Sequence, residues 1–141
     1  MKGICGLEFD KHEPLYPVYA AIGHECAAVV GGNPDELYLY AEAGHGWSGG
    51  GIFVDEGRAI RCFPLSRDLC SLIMEAWERE NTGQPWLVIE YDIKGTSFDA
   101  NLIYPDEIGP GLTMAERQRV ALRRRFGRKP VLYPPYPGDA G

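Results

Sequence analysis

Residues 85–104, PWLVIEYDIKGTSFDANLIY, set the architecture of this chain. Two alternating runs flank Lys94-Gly95, and a two-residue turn there pairs Tyr91 with Phe98, Ile89 with Ala100 and Leu87 with Leu102. All three pairs are apolar and share one face, so a slip of one residue would turn the whole set towards solvent. The same register sets Glu90 opposite Asp99 on the other face, with Asp92 beside them. Like charges across a strand pair destabilise by roughly 0.2–1 kcal/mol. A cation is therefore expected there, supplied by this chain or by a partner.

Upstream of the hairpin, Pro64-Leu65-Ser66 introduces the clearest helix. Leu65, Leu69, Leu72, Ile73, Ala76 and Trp77 line one side of it, and Glu75, Glu78 and Arg79 the other. Asn81-Thr82-Gly83 ends it. Earlier, residues 15–30 place Val18, Ile22, Cys26, Val29 and Val30 on one helical face, and Gly31-Gly32-Asn33-Pro34 stops that run. Residues 36–43 alternate, with Leu37, Leu39 and Ala41 on one side and Tyr38, Tyr40 and Glu42 on the other, which predicts a strand. A glycine-rich turn, a strand at Ile52-Phe53-Val54, the Glu56-Gly57 turn and a third strand over residues 59–63 follow.

Downstream, Thr113-Met114-Ala115-Glu116 matches a capping box, in which the Thr and Glu side chains satisfy free backbone N–H groups. A basic helix runs from there to Phe126, and Gly127 suits a left-handed exit. The order is helix, three strands, helix, two strands, helix. Strands joined by tight turns imply a single α+β domain, with an antiparallel sheet of about five strands covered by helices on one face.

At 141 residues the chain is long enough for one core. No apolar run approaches the roughly 20 residues needed to cross a bilayer. The opening MKGICGLEFDKHE lacks the apolar core of a signal peptide, and Cys5, Cys26, Cys62 and Cys70 show no Cys-x-x-Cys spacing. A cytoplasmic protein with reduced thiols is expected. Residues 1–111 hold 7 Lys/Arg against 18 Asp/Glu, whereas residues 112–141 hold 7 against 2. So acidic a body argues against general nucleic-acid binding and is compatible with a basic protein partner.

Several motifs tempt and fail. Gly46-Trp47-Ser48-Gly49-Gly50 matches the G-x-S-x-G nucleophile elbow, but all three histidines (His12, His24, His45) precede Ser48 and a strand rather than a helix follows it. Gly44–Gly49 also spells G-x-G-x-x-G, yet it joins two strands and does not open a helix, so a flexible hairpin loop is expected. Trp47 at its tip either folds back on the sheet or meets a partner. His24-Glu25-Cys26 lacks the rest of a zinc-deaminase site, and residues two apart point to different sides of a helix. No metal or cofactor is expected. The arginines of the last helix either fold over the Glu90/Asp92/Asp99 face as its missing cation or serve a phosphate or a partner; the internal role fits better.

The order of elements and several strings resemble the YezG-like immunity (antitoxin) family of bacterial polymorphic toxin systems. The matching pieces are ELYLYAEAG followed by IFVDEG, then PLSRDLCSLIMEAWERE, PWLVIEYDIKGTSFDANLIYPDE, and AERQRVALRRRFG with VLYPP behind it. Trp86, Lys94-Gly95, Phe98-Asp99, Tyr104, Arg117 and Phe126-Gly127 carry it as a set. The resemblance implies an immunity domain over residues 15–135, flanked by an N-terminal extension (1–14) and a Pro/Gly-rich tail (136–141). It implies a protein without enzymatic activity that binds and silences a cognate toxin, often a nuclease domain. A basic target would be met by carboxylates such as Asp55, Glu56, Glu75, Glu78, Glu90, Asp92 and Asp99, with Trp47 or Tyr38 as an aromatic anchor. The competing expectation is a small hydrolase using Ser48, or an acid/base catalyst using the Glu90/Asp99 pair. A monomer or weak homodimer is expected, since an exposed sheet edge could pair two copies.

Overall fold

The computed structural model describes residues 16–31, 36–80, 85–95, 97–108 and 111–134. The N-terminal extension with Cys5 and His12, the stop signals at residues 32–34 and 81–83, and the tail from Pro135 lie outside these. The elements are α1 (Tyr16–Val30), β1 (Glu36–Gly44), β2 (Trp47–Asp55), β3 (Ile60–Pro64), α2 (Arg67–Arg79), β4 (Val88–Lys94), β5 (Ser97–Ile103), α3 (Met114–Phe126) and β6 (Val131–Leu132). They build one α+β domain around a sheet of order β5-β4-β1-β2-β3-β6. All pairings are antiparallel except β3 with β6, where Ile60 faces Val131 and Arg61 faces Leu132. The short β6 adds a sixth strand to the five expected. Among the described residues, no helix is long and apolar enough to cross a membrane.

The helices do not all lie on one face, as the order of elements suggested. Leu37, Leu39 and Ala41 of β1 pack with Ile52, Ile89 and Tyr91 under α1 and α2, whose Val18, Ile22, Cys26, Leu69, Ile73, Ala76 and Trp77 complete that core. The other face is closed by α3. There Tyr38, Tyr40, Phe53, Ile60, Cys62 and Val88 pack against Ala121 and Leu122. The physical reason lies in β1, whose even positions are phenols. Each buries a broad apolar ring and needs a partner only for its hydroxyl, so this face can be covered by a helix with few apolar residues of its own. Arginine stems of α3 supply the remaining cover.

The caps behave as the residue types require. Ser66 Oγ accepts from Leu69 N (3.1 Å) to start α2. Thr113 Oγ1 accepts from Glu116 N (3.1 Å) while Glu116 Oε1 accepts from Thr113 N (2.8 Å), and Gly127 leaves α3 at φ 73°.

Two expectations need correction. The β4–β5 hairpin closes one residue later than expected, pairing Lys94 with Ser97, Ile93 with Phe98, Tyr91 with Ala100 and Ile89 with Leu102. The register differs from the expected one by two residues, so every side chain keeps its expected face. The cause is Gly95, which at φ 63° sits inside the turn, where primed hairpin turns need a positive φ. Glu90 therefore faces Asn101, and Asp92 rather than Glu90 faces Asp99.

The second concerns the glycine-rich segment, expected as a flexible loop. Only His45 and Gly46 form the turn; Trp47 to Asp55 is a continuous strand paired with β1. A Cβ on Gly50 would lie 2.0 Å from the Tyr40 carbonyl oxygen, and one on Gly49 would lie 2.9 Å from Met114 Cε. These glycines let β1 and the start of α3 approach β2 closely.

Candidate functional site

The α3 face of β1 and β4 carries Glu42, Glu90 and Asp92, each met by an arginine. Glu42 is fully buried. Arg117 grips it with two bonds of 2.7 Å, from Nε to Oε2 and from Nη2 to Oε1, and Tyr40 donates its hydroxyl to Oε2 at 2.7 Å. Arg117 also donates to the Leu112 carbonyl. Along the sheet, Glu90 accepts from Tyr38 (2.9 Å), from Asn101 (3.2 Å) and from Arg124. Arg125 then donates to Asp92 from both Nε (3.1 Å) and Nη2 (2.8 Å), and its Nη2 lies 3.8 Å from Glu36. Its guanidinium also lies 5.0 Å from the centroid of the Phe126 ring and 5.6 Å from that of Tyr38.

Matching repeats place these pairs. Arg117 and Arg125 are eight residues apart, about 12 Å along a helix. Asp92 pairs with Tyr38 across the sheet, four residues along β1 from Glu42, or about 13 Å. Spacings of seven and eight keep Arg117, Arg124 and Arg125 near one side of α3, so the helix lays its cations along the row of carboxylates. Burial, then the bond to Glu42, pushes the Tyr40 hydroxyl well above its ordinary range. Burial and the Glu90 charge do the same to Tyr38. The bonds to Glu42 raise Arg117 further above its already high value. All three stay locked in their bonding protonation state.

The row meets the expectation that the cation for this face comes from the chain itself. It also reassigns residues. Tyr38, expected as a possible surface anchor, is buried beneath α3, edge-on to Phe126 at 5.7 Å. Glu90 and Asp99 do not face each other and form no carboxylate dyad.

The remaining acidic residues do not gather in one patch. Asp55 lies at the same end of the sheet as Glu36, Asp92 and Asp99. Lys129 donates to both its oxygens (2.9 and 2.7 Å). That bond, with the Gly57 N–H, holds the Asp55 carboxyl below the usual range. Glu36, Asp55, Arg125 and Lys129 line an open cleft of about 480 Å³. Glu56 accepts from Arg61 at 2.9 Å. Glu75 pairs with Arg79 on the outer side of α2, where Glu78 is exposed. Trp47 sits at the opposite end of the nine-residue β2 from Asp55. It folds against Gly44, where a Cβ would come 2.4 Å from its Nε1, yet remains 43 % exposed.

The candidate hydrolase residues also point apart. Ser48 Oγ donates to the Cys70 carbonyl at 3.2 Å, and His45 packs edge-on against Trp77 at 4.9 Å. His24 is exposed while Cys26 is buried, its thiol pushed up to about 12 by desolvation and by Glu25. Among the described residues, no group of His, Cys, Asp and Glu is placed to hold a metal ion.

Sequence reasoning did not single out Glu42, although its place after two phenols on one face of β1 was a signal. It also left Arg119, Arg123 and Arg128 merged with the rest of the basic run. The structure separates them. They project away from the carboxylate row and line, with Lys129 and Tyr133, a second cleft of about 400 Å³.

A scan against protein-family models finds no match for the chain, and no curated protein matches it.

Proposed function

We propose that this chain is a non-enzymatic immunity protein, similar to the YezG-like antitoxins, that binds and neutralises a cognate toxin through its acidic surface. The observation that supports it best is how the ionisable groups are distributed. Those drawn under α3 are paired within the chain by Arg117, Arg124 and Arg125. Exposed carboxylates such as Asp55, Glu56, Glu78 and Asp99 remain at the surface. Ser48 and His45, the residues a hydrolase would need together, bond in different directions. The protein thus offers exposed carboxylates over a packed core, which suits docking.

A basic, nuclease-type domain is the target chemistry this charge fits. Exposed acidic side chains steer such a partner from a distance and make association sensitive to ionic strength. The same reading assigns Trp47, Asp55, Glu56, Glu75, Glu78, Glu90, Asp92 and Asp99 as contact candidates. Of these, Glu90 and Asp92 are engaged by Arg124 and Arg125 and so contribute chiefly by anchoring α3. The protein works as a monomer or weak homodimer in the cytoplasm.

The test is co-purification with the protein encoded beside it, repeated over a salt series. A stoichiometric complex is expected, with an association rate that falls as salt rises and falls further in Glu78→Lys and Asp55→Lys. Absence of any complex at low salt sinks the proposal.

A further inference from the structure

Among the described residues, Arg58, Arg67, Arg119, Arg123 and Arg128 make no ion pair, and the last three border one cleft. Arg119 and Arg123 are four residues apart and so stand one above the other on the outer side of α3. Arg128 follows the bend at Gly127 and closes the cleft from the other side. Among the described residues, none of the three makes an ion pair, although Arg61, Arg79, Arg117, Arg124, Arg125 and Lys129 all do. Glu116 lies a turn before Arg119, and its Oε1 is turned back onto the Thr113 N–H. Lys129, the fourth cation on the rim, is held by Asp55. Clustered cations repel one another, and a bound anion relieves that repulsion.

The rest of the lining indicates which anion. Leu122, Phe126 and Val131 form an apolar floor, and Tyr133 stands on the wall with half its surface exposed. Burial raises the Tyr133 hydroxyl above its ordinary value. A planar aromatic beside forked guanidinium groups suits a ligand with a flat base at one end and phosphate at the other. The volume, about 400 Å³, lies in the range of small-molecule sites.

From this we infer that the cleft between α3 and residues 127–133 binds a nucleoside phosphate, with Arg119, Arg123 and Arg128 on the phosphates and Tyr133 against the base. A short ligand is favoured over a nucleic-acid polymer, because the cleft adjoins, at Phe126 and Lys129, one lined by Glu36 and Asp55, whose carboxylates would repel a continuing phosphate backbone. An acidic peptide would satisfy the arginines but leave the aromatic wall without a flat partner.

Equilibrium binding to the full chain tests this, with adenosine diphosphate, adenosine, inorganic phosphate, a glutamate-rich peptide and a single-stranded oligonucleotide as probes. Saturable binding of adenosine diphosphate is expected, with adenosine and inorganic phosphate each at least about tenfold weaker. Arg123→Ala and Tyr133→Ala should each weaken it about tenfold, and Tyr133→Phe should keep it. Arg128→Ala, outside the helix, should weaken it as Arg123→Ala does and guards against an effect of helix fraying. The inference fails if adenosine diphosphate does not saturate, or if its affinity is unchanged in both arginine variants. It fails equally if inorganic phosphate alone binds as tightly, or if the peptide or the oligonucleotide binds more tightly. None of these outcomes bears on the docking function.

Discussion

Glu42 has no route to water, while Arg117 keeps about a fifth of its side chain exposed. The two ends of this pair should therefore answer differently to mutation. Arg117→Ala leaves a carboxylate buried beside one tyrosine hydroxyl, and a loss of about 3–5 kcal/mol is expected from denaturant unfolding. Arg124→Ala should cost about 1–2 kcal/mol, since Glu90 retains Tyr38 and Asn101 as donors. Equal losses would contradict the ranking of the two pairs. The phenols give a pH signature. In the folded state Tyr38 and Tyr40 are raised above the ordinary value of 10. Their contribution to stability is whole below that value and is lost as pH rises above it, because the unfolded chain then releases protons that the folded one holds. An alkaline titration should show the slowest phenol ionisation arriving together with unfolding. Ionisation of all phenols while the fold persists would disprove their burial.

Element by element, the fold shows why some features were legible in the sequence and others were not. The capping box at Thr113 and the apolar stripe of α2 were readable because each is a local pattern whose physics closes within one turn. Thr113→Ala should cost about 1 kcal/mol, measured by unfolding. The faces of β4 and β5 were readable from alternation, but the register was not. It depended on which residue took the positive φ, and a shift of two leaves alternation unchanged. The side of the sheet taken by α3 was likewise hidden, because an arginine-rich helix looks solvated until its cations meet a row of buried carboxylates. The role of the glycines in β2 is a property of two neighbouring elements, and no local signal carries it. Gly50 combines φ 144° with contact against β1, so Gly50→Ala should destabilise well beyond the loss of the Thr113 cap. A near-neutral result in thermal unfolding would show that β1 and β2 can separate there.

At the scale of the molecule, charge is sorted between an acidic body and a basic helix, and α3 divides its arginines between the two. Arg117, Arg124 and Arg125 neutralise the sheet, while Arg119, Arg123 and Arg128 face outward. The carboxylates expected at the partner surface are divided between the sheet, chiefly its Glu36 end, and the outer side of α2. Recognition by steering, in which many exposed charges each contribute a little, suits that spread better than a single hot spot. Growth of cells producing the toxin encoded beside this gene puts docking without turnover to the test. Both the native protein and Ser48→Ala are expected to restore growth equally, at a molar ratio near one. Protection that vanishes in Ser48→Ala while its fold and complex stay intact, or no protection by the native protein, would contradict the account.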